Sequence, residues 1–354
     1  MNTHLQILCV LGVLLLATAC EGEGPIENPN FVSPFDQWNI PLDEVFDGGL
    51  GKDGIPSLDN PNFSPAGEVN PAFDDILVMG IEHEGELKAY PVSMLNWHEI
   101  VNDEINGLEV AITYCPLTGT GIGWGRRLDG FLTTYGVSGL LYNTNLIPYD
   151  RRTGSNWSQQ RLECINGPLR GRLPESYTLI ETTFRSWKKS FPNSQVLNAN
   201  TGFDRRYSEY PYGTYLVDDE LLFFPVDPLD RRLPLKERVL GVLEEGEERA
   251  YRFNELAEGM EVIQDTLANK AILIVRSQRD NINAAFYPLE GKNYTAVQDD
   301  LPRILLDEEG NYYDLAGRVI EGPRSGEKLT RPLSFIGYWF SWGAFYPGIE
   351  VYNN

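Results

Sequence analysis

The sequence predicts a β-rich α+β fold, built as two tandem duplicated modules of short antiparallel strands with few short helices. Three observations carry this. First, the chain repeats itself in order. IEHEGELKAY (Ile81–Tyr90) aligns without gaps to VLEEGEERAY (Val242–Tyr251), with Gly85 and Gly246 161 residues apart. LDG at Leu128–Gly130 answers LEG at Leu289–Gly291, TGSNW…INGP (Thr153–Pro168) parallels EGNYY…IEGP (Glu309–Pro323), and WKKSFPNSQVLN (Trp187–Asn198) matches WGAFYPGIEVYN (Trp342–Asn353). One such match arises by chance; several in the same order point to two copies of one unit. Second, apolar residues alternate with period two, as in LEVAITYC, where Val110, Ile112 and Tyr114 point one way and Ala111, Thr113 and Cys115 the other. Third, 34 Gly, 23 Pro and 12% aromatic residues suit short strands and turns better than long helices.

The elements follow in chain order. Leu5–Ala19 (LQILCVLGVLLLATA) is an apolar run with the length of a signal-peptide core, too short to span a bilayer. It closes with Ala-Thr-Ala before Cys20, which resembles the processing site of bacterial lipoproteins. Residues 1–19 are therefore read as the signal and Cys20 as the lipidated first residue, followed by the acidic tether EGEGPIENPN. Acyl chains on Cys20 would hold the protein at a membrane surface. By the same resemblance Glu21 suits outer-membrane sorting, so the expected location is the cell envelope, lipid-anchored, at the outer membrane. Residues 20–72 are tether and extended N-terminal arm, rich in Pro, Asn and Asp. Module one, 73–200, opens as a hairpin, ILVMGIEHEGELKAYPV, with a Glu-Gly turn. A short helix follows in SMLNWHEIVND, where Met94, Leu95, His98 and Val101 recur at spacings of three and four and put His98 on the apolar face. Residues 201–237 bridge the modules, and their aromatic residues mark a packed bridge rather than a loose linker. Module two, 238–354, reopens with RVLGVLEEGEERAYRF.

A formal charge of −22, from 29 basic against 51 acidic residues, excludes nucleic acid as a partner of the folded part. The expected partners are the membrane, through the lipid anchor, and a small-molecule or cell-surface ligand. With Cys9 in the signal and Cys20 at the lipid site, the folded body keeps Cys115 and Cys164; His83 and His98 are its two histidines. The repeat serves as an internal control, because what both copies share is scaffold. At the first offset His98 faces Gly259 and Cys115 faces Arg276; at the later one Cys164 faces Val319. The stretch GVSGLLYNTNLIPYDRR has no clear echo. Module one is thus expected to bear the site and module two to support it.

WHEIVND, ITYCPLTGT, YGVSGLLYN, YDRRTGSNWSQ and GKDGIP together resemble a bacterial exported family known as domain of unknown function 3179, from about Trp38 to the C-terminus. The resemblance implies no activity. It marks Cys115, His98, Tyr149, Asp150, Arg151, Trp157 and Gln159 as motif positions. The family motif often reads Cys-Pro-Leu-Cys-Gly, and Thr118 takes the second cysteine position here, so a dithiol chemistry does not carry over.

Several readings of these residues stay open. Cys115 with His98 is a ligand pair suited to a transition metal (copper, zinc or iron), or a nucleophile with its base in thiol chemistry. Cys115 and Cys164 can instead form a structural disulfide in a non-enzymatic binding or scaffold lipoprotein, or remain inert in the core. Thr118, Asn143, Asp150, Arg151 and Gln159, with Asn145 beside them and Trp157 as a wall, can line a pocket next to Cys115; the alternative is hairpin-turn chemistry and a surface ion pair. Aromatics beside amides also suit sugar stacking. GKDGIPSLDNP is either a flap over the site or an ordered arm. His83 follows a turn and reads as a solvated loop residue. TGTGIGWG is not followed by a helix, so it is not a dinucleotide fingerprint, and GVSG lacks the frame of a nucleophile elbow.

Overall fold

The computed structural model describes residues 37–253 and 259–353. The signal, Cys20 and the acidic tether lie outside the described residues. The body is strand-rich, mostly antiparallel, with three seven-residue α-helices among the described residues: Val92–His98, Phe184–Ser190 and Trp339–Phe345. None of its helices is long and apolar enough to cross a membrane.

Two sheets share one plan. In the N-terminal half, Leu77–His83 pairs with Glu86–Pro91 across a turn at Glu84 and Gly85, whose φ values of 48° and 88° are those of a tight hairpin turn. Ile180–Thr183 adds antiparallel to the first strand and Gln195–Leu197 parallel to the second, with the helix Phe184–Ser190 between them. In the C-terminal half, Arg238–Glu244 and Glu247–Arg252 turn at Glu245 and Gly246 with φ of 48° and 85°. Leu333–Tyr338 adds antiparallel, Glu350–Val351 parallel, and Trp339–Phe345 is the helix between. Each helix drives a tryptophan onto a glycine of the opposing strand. A Cβ on Gly80 would stand 1.9 Å from the Trp187 ring, and one on Gly241 would stand 2.1 Å from Trp342. Only glycine lets either ring lie flat on its sheet.

A second pair of sheets matches as closely. Ile100–Ile105, Leu108–Cys115 and Thr120–Gly125 run antiparallel in sequence, as do Glu261–Leu267, Lys270–Ser277 and Ile282–Phe286. Tyr90 and the Lys88 ammonium meet Asp103 at 2.7 and 3.1 Å, and Tyr251 and Arg249 meet Asp265 at 2.6 and 2.8 Å. Asp103 and Asp265 are 162 residues apart, one more than the hairpins. The extra residue moves the counterpart of Cys115 from Arg276 to the buried Ser277, and makes Arg276 the counterpart of Tyr114.

The cores cross between the halves. One face of each hairpin sheet packs on the meander sheet of its own half: Met79, Ile81 and Tyr90 with Val110 and Ile112, and Leu240, Val242 and Tyr251 with Ile272 and Ile274. The other face packs on the opposite half. Val78, Ala89 and Trp187 cluster with Leu273, Phe286 and Tyr313, while Val239, Ala250 and Trp342 cluster with Ala111, Cys115, Trp124 and Trp157. Trp187 and Trp342 are fully buried; each contributes roughly 4–6 kcal/mol of transfer free energy before entropy is counted. Neither half therefore owns a complete core, and the C-terminal half forms part of the wall around Cys115.

The bridge is pinned rather than loose. The Lys236 ammonium donates to the carbonyls of Tyr215, Asp218 and Leu221 at 2.5, 2.5 and 2.7 Å and sits 3.6 Å over the Tyr215 ring.

Candidate functional site

The motif residues separate into three groups. The first lies under the arm. Leu58 enters the edge of the N-terminal meander sheet, its N–H on Ile100 O at 2.9 Å and its carbonyl accepting from Asn102 at 2.7 Å. Arg151 spreads its guanidinium over Asp59 (2.9 Å), Asp53 (3.1 Å) and Ser57 (2.9 Å), and Tyr149 donates to Asp53 at 2.5 Å. His98 is fully buried; Nδ1 faces Pro56 O at 2.8 Å and Nε2 faces the Tyr207 hydroxyl at 2.7 Å. A neutral ring with its proton on Nδ1 satisfies both, and burial lowers its pKa. GKDGIPSLDNP is thus an arm stapled to the sheet by Arg151, Asn102 and His98.

The second group is a closed polar network. Asn145 Nδ2 donates to Thr118 (2.9 Å) and to Gln159 Oε1 (2.8 Å), Thr120 donates to Gln159 Oε1 at 2.7 Å, and Gln159 Nε2 donates to Thr113 at 2.9 Å. These residues are at most 1% exposed. Their amides and hydroxyls serve one another, which holds three strands in register. Asn143, with φ of 47°, accepts from Asp227 N at 2.9 Å and so ties the strand turn to the bridge.

The third group corrects an expectation. Asp150 caps its turn by accepting from Thr153 N at 2.7 Å and from Trp157 Nε1 at 3.2 Å. In the other half, Asp307 accepts from Glu309 N at 2.9 Å and from the Tyr313 hydroxyl at 2.7 Å. The polar stretch around Asp150 therefore has an echo after all. Asp150 and Trp157 are turn scaffold, hidden from sequence comparison because tyrosine replaces tryptophan as the donor.

Cys115 and His98 take different hydrogen-bond partners. The Cys115 thiol, 1% exposed, points at Thr144 O at 3.7 Å, while both imidazole nitrogens are held elsewhere. Among the described residues no three His, Cys, Asp or Glu side chains gather to hold a metal. The copper, zinc or iron reading and the role of His98 as base therefore lose their geometry. The disulfide is corrected as well. Cys115 and Cys164 are both free and buried, and Cys164 points at Asn166 O at 3.4 Å.

The partner that Cys115 does have is Glu99. Burial and the nearby Glu99 carboxylate push the Cys115 thiol up to about 11. Burial raises the Glu99 carboxyl to about 7, against the pull of the Tyr212 hydroxyl that donates to it at 3.1 Å. Glu99 caps the helix Val92–His98 at φ 57°, a conformation that costs a side chain about 1 kcal/mol more than glycine. Among the described residues it has no ion-pair partner. Bridge residues close the space. Tyr215 donates to Leu117 O at 2.8 Å, and the buried Tyr210 hydroxyl has no partner. Two signals were available in the sequence: Glu99 next to His98 in WHEIVND, and the tyrosines of YSEYPYGTY in the bridge.

The comparisons with known proteins agree with this picture at the level of family. The comparison with curated proteins and that with solved structures return no match. A family model described as protein of unknown function (DUF3179) matches residues 52–349, from the stapled arm to the last turns of the C-terminal sheet. The chain belongs to that family.

Proposed function

We propose that the protein is a membrane-tethered protein of the cell envelope whose one chemistry-bearing site is the Cys115 thiol with the Glu99 carboxyl, closed by the tyrosine-rich bridge. The carrying observation is the placement of a buried carboxyl with no cation beside a buried thiol. Strongly perturbed neighbours of this kind cluster at functional sites. In the closed state the pair is silent: a thiol near 11 does not yield its proton to a carboxyl near 7, since that transfer is uphill by roughly 5 kcal/mol. Lifting Tyr210, Tyr212 and Tyr215 admits water and lowers the thiol toward its ordinary range, so that solvent can take its proton and leave the thiolate, the nucleophilic form. With one cysteine in the site, the chemistry is that of a single thiol. The matched plans of the two halves support descent from one duplicated unit, with the thiol site specialised in the first. The tether rests on the apolar run before Cys20; Cys20→Ser should move the protein from membrane to soluble fraction.

The test of the site is alkylation by iodoacetamide of the folded, exported chain with Cys20 and Cys164 changed to serine. Cys115 should react at least about a hundredfold more slowly than a free thiol, yet faster than global unfolding, and Tyr212→Phe should speed it about tenfold. Labelling only at the global unfolding rate would sink the thiol reading. It would favour instead a non-enzymatic scaffold, which the satisfied Thr118–Asn145–Gln159 network supports.

A further inference from the structure

A large cavity among the described residues lies away from Cys115. About 480 Å³ in volume, it opens between the arm, the helix Val92–His98 and the first residues of the bridge. Pockets of this size that are mainly apolar are typical of small-molecule sites. Val69 of the arm, Phe73, Ile76, Met94 and Phe184 line it with apolar side chains, and Tyr207 of the bridge contributes a hydroxyl. Phe73, which lines it, is 46% exposed.

The charges select the occupant. Glu68 is the one carboxylate on the lining, no lysine or arginine lines it, and Glu68 has no ion pair among the described residues. The chain as a whole carries −22. A fatty-acid-like or sulfonated molecule would meet an unpaired negative charge at the mouth and no cation to hold it. The Tyr207 hydroxyl is bonded to His98 at 2.7 Å and to Thr201 at 2.6 Å, so the lining offers a neutral hydrogen-bonding group. We propose that this cavity binds an apolar small molecule without negative charge, its body against Val69, Ile76, Met94 and Phe184 and any hydroxyl toward the Tyr207 oxygen, which accepts.

Two fluorescent probes of nearly the same shape test this on the full exported chain: uncharged N-phenylnaphthylamine and its sulfonated relative, anilinonaphthalene sulfonate. The uncharged probe should saturate at one per chain and bind at least tenfold more tightly than the sulfonate. Ala199→Trp, on the exposed rim, should raise its Kd at least tenfold while near-ultraviolet circular dichroism stays native. Glu68→Lys should shrink the preference at least fivefold. Ser93→Trp blocks the cavity from the helix side and should act as Ala199→Trp does. Equal or tighter binding of the sulfonate, or binding of the uncharged probe that both tryptophan variants leave unchanged, would overturn the proposal.

Discussion

Glu99 and Glu261 occupy the same place in two sheets of the same register, yet live in different electrostatic worlds. Glu261 stands opposite Arg276, whose Nε reaches it at 3.0 Å, and its side chain is about a third exposed. Glu99 stands opposite Tyr114, which donates its backbone N–H to the Glu99 carbonyl at 2.7 Å and offers the carboxylate no charge. Next along the strand, Ser277 in one half is Cys115 in the other. A common frame thus holds a neutralised acid in one half and a buried acid with a thiol in the other. The two positions differ in counter-ion, in cover and in backbone, since Glu99 ends a helix at φ 57° and Glu261 opens a strand.

The frame itself should show the largest effects, equal in both halves. Gly80→Ala and Gly241→Ala each force a methyl into an indole ring, and each should cost about 3 kcal/mol, at the upper end for overpacking. Because each hairpin sheet completes the core of the opposite half, urea unfolding should remain a single transition in both variants. Two separated transitions, or a loss in one variant alone, would break the equivalence of the halves.

The repeat, the hairpins and the strand LEVAITYC were legible because glycine turns and period-two alternation are local properties. The one-residue shift between hairpin and sheet was not: it leaves no gap signal in so short a match, and it reveals Tyr114 as the counterpart of Arg276 only once strands are paired. Crossed cores were equally hidden, since Val78 and Val239 look alike whichever sheet they face. The site was half legible. His98 and Cys115 were conspicuous as scarce residue types, but scarcity says nothing of distance, and His98 turned out to hold the arm and the bridge. Glu99 is one of 51 acidic residues, and its burial, which the sequence does not show, is what sets it apart.

The middle effect concerns that burial. A carboxyl whose folded value of about 7 exceeds its unfolded 4.5 binds its proton more tightly when folded. Its contribution is favourable at low pH, is lost as pH rises from about 4.5 to about 7, and stays lost above. Glu99→Gln keeps an acceptor for Tyr212 and removes the titration. At pH 8 the variant should be about 3 kcal/mol more stable than the parent, and near pH 4.5 equal to it. Glu261→Gln should give no such gain. A parent whose stability does not fall across that window would mean that Glu99 is solvated and the closed site does not exist.

The smallest effect separates the two causes of the asymmetry, the missing arginine and the added cover. Arg276→Met deprives Glu261 of its partner, as Glu99 lacks one, but Glu261 lies in a strand and is about a third exposed. Because the Glu261 side chain is about a third exposed, water can replace the guanidinium, so the change should cost less than about 1 kcal/mol at pH 7. The unfolding free energy should also stay nearly flat between pH 5 and 8, measured by urea titration at each pH. In that outcome the cover is what makes Glu99 unusual, and the bridge tyrosines are the part of the site to perturb. A loss of 2 kcal/mol or more that grows with pH would reverse the assignment. The arginine would then be what keeps such a carboxyl tolerable in this register, and Tyr114, rather than Tyr212, would be the residue that sets the state of Glu99.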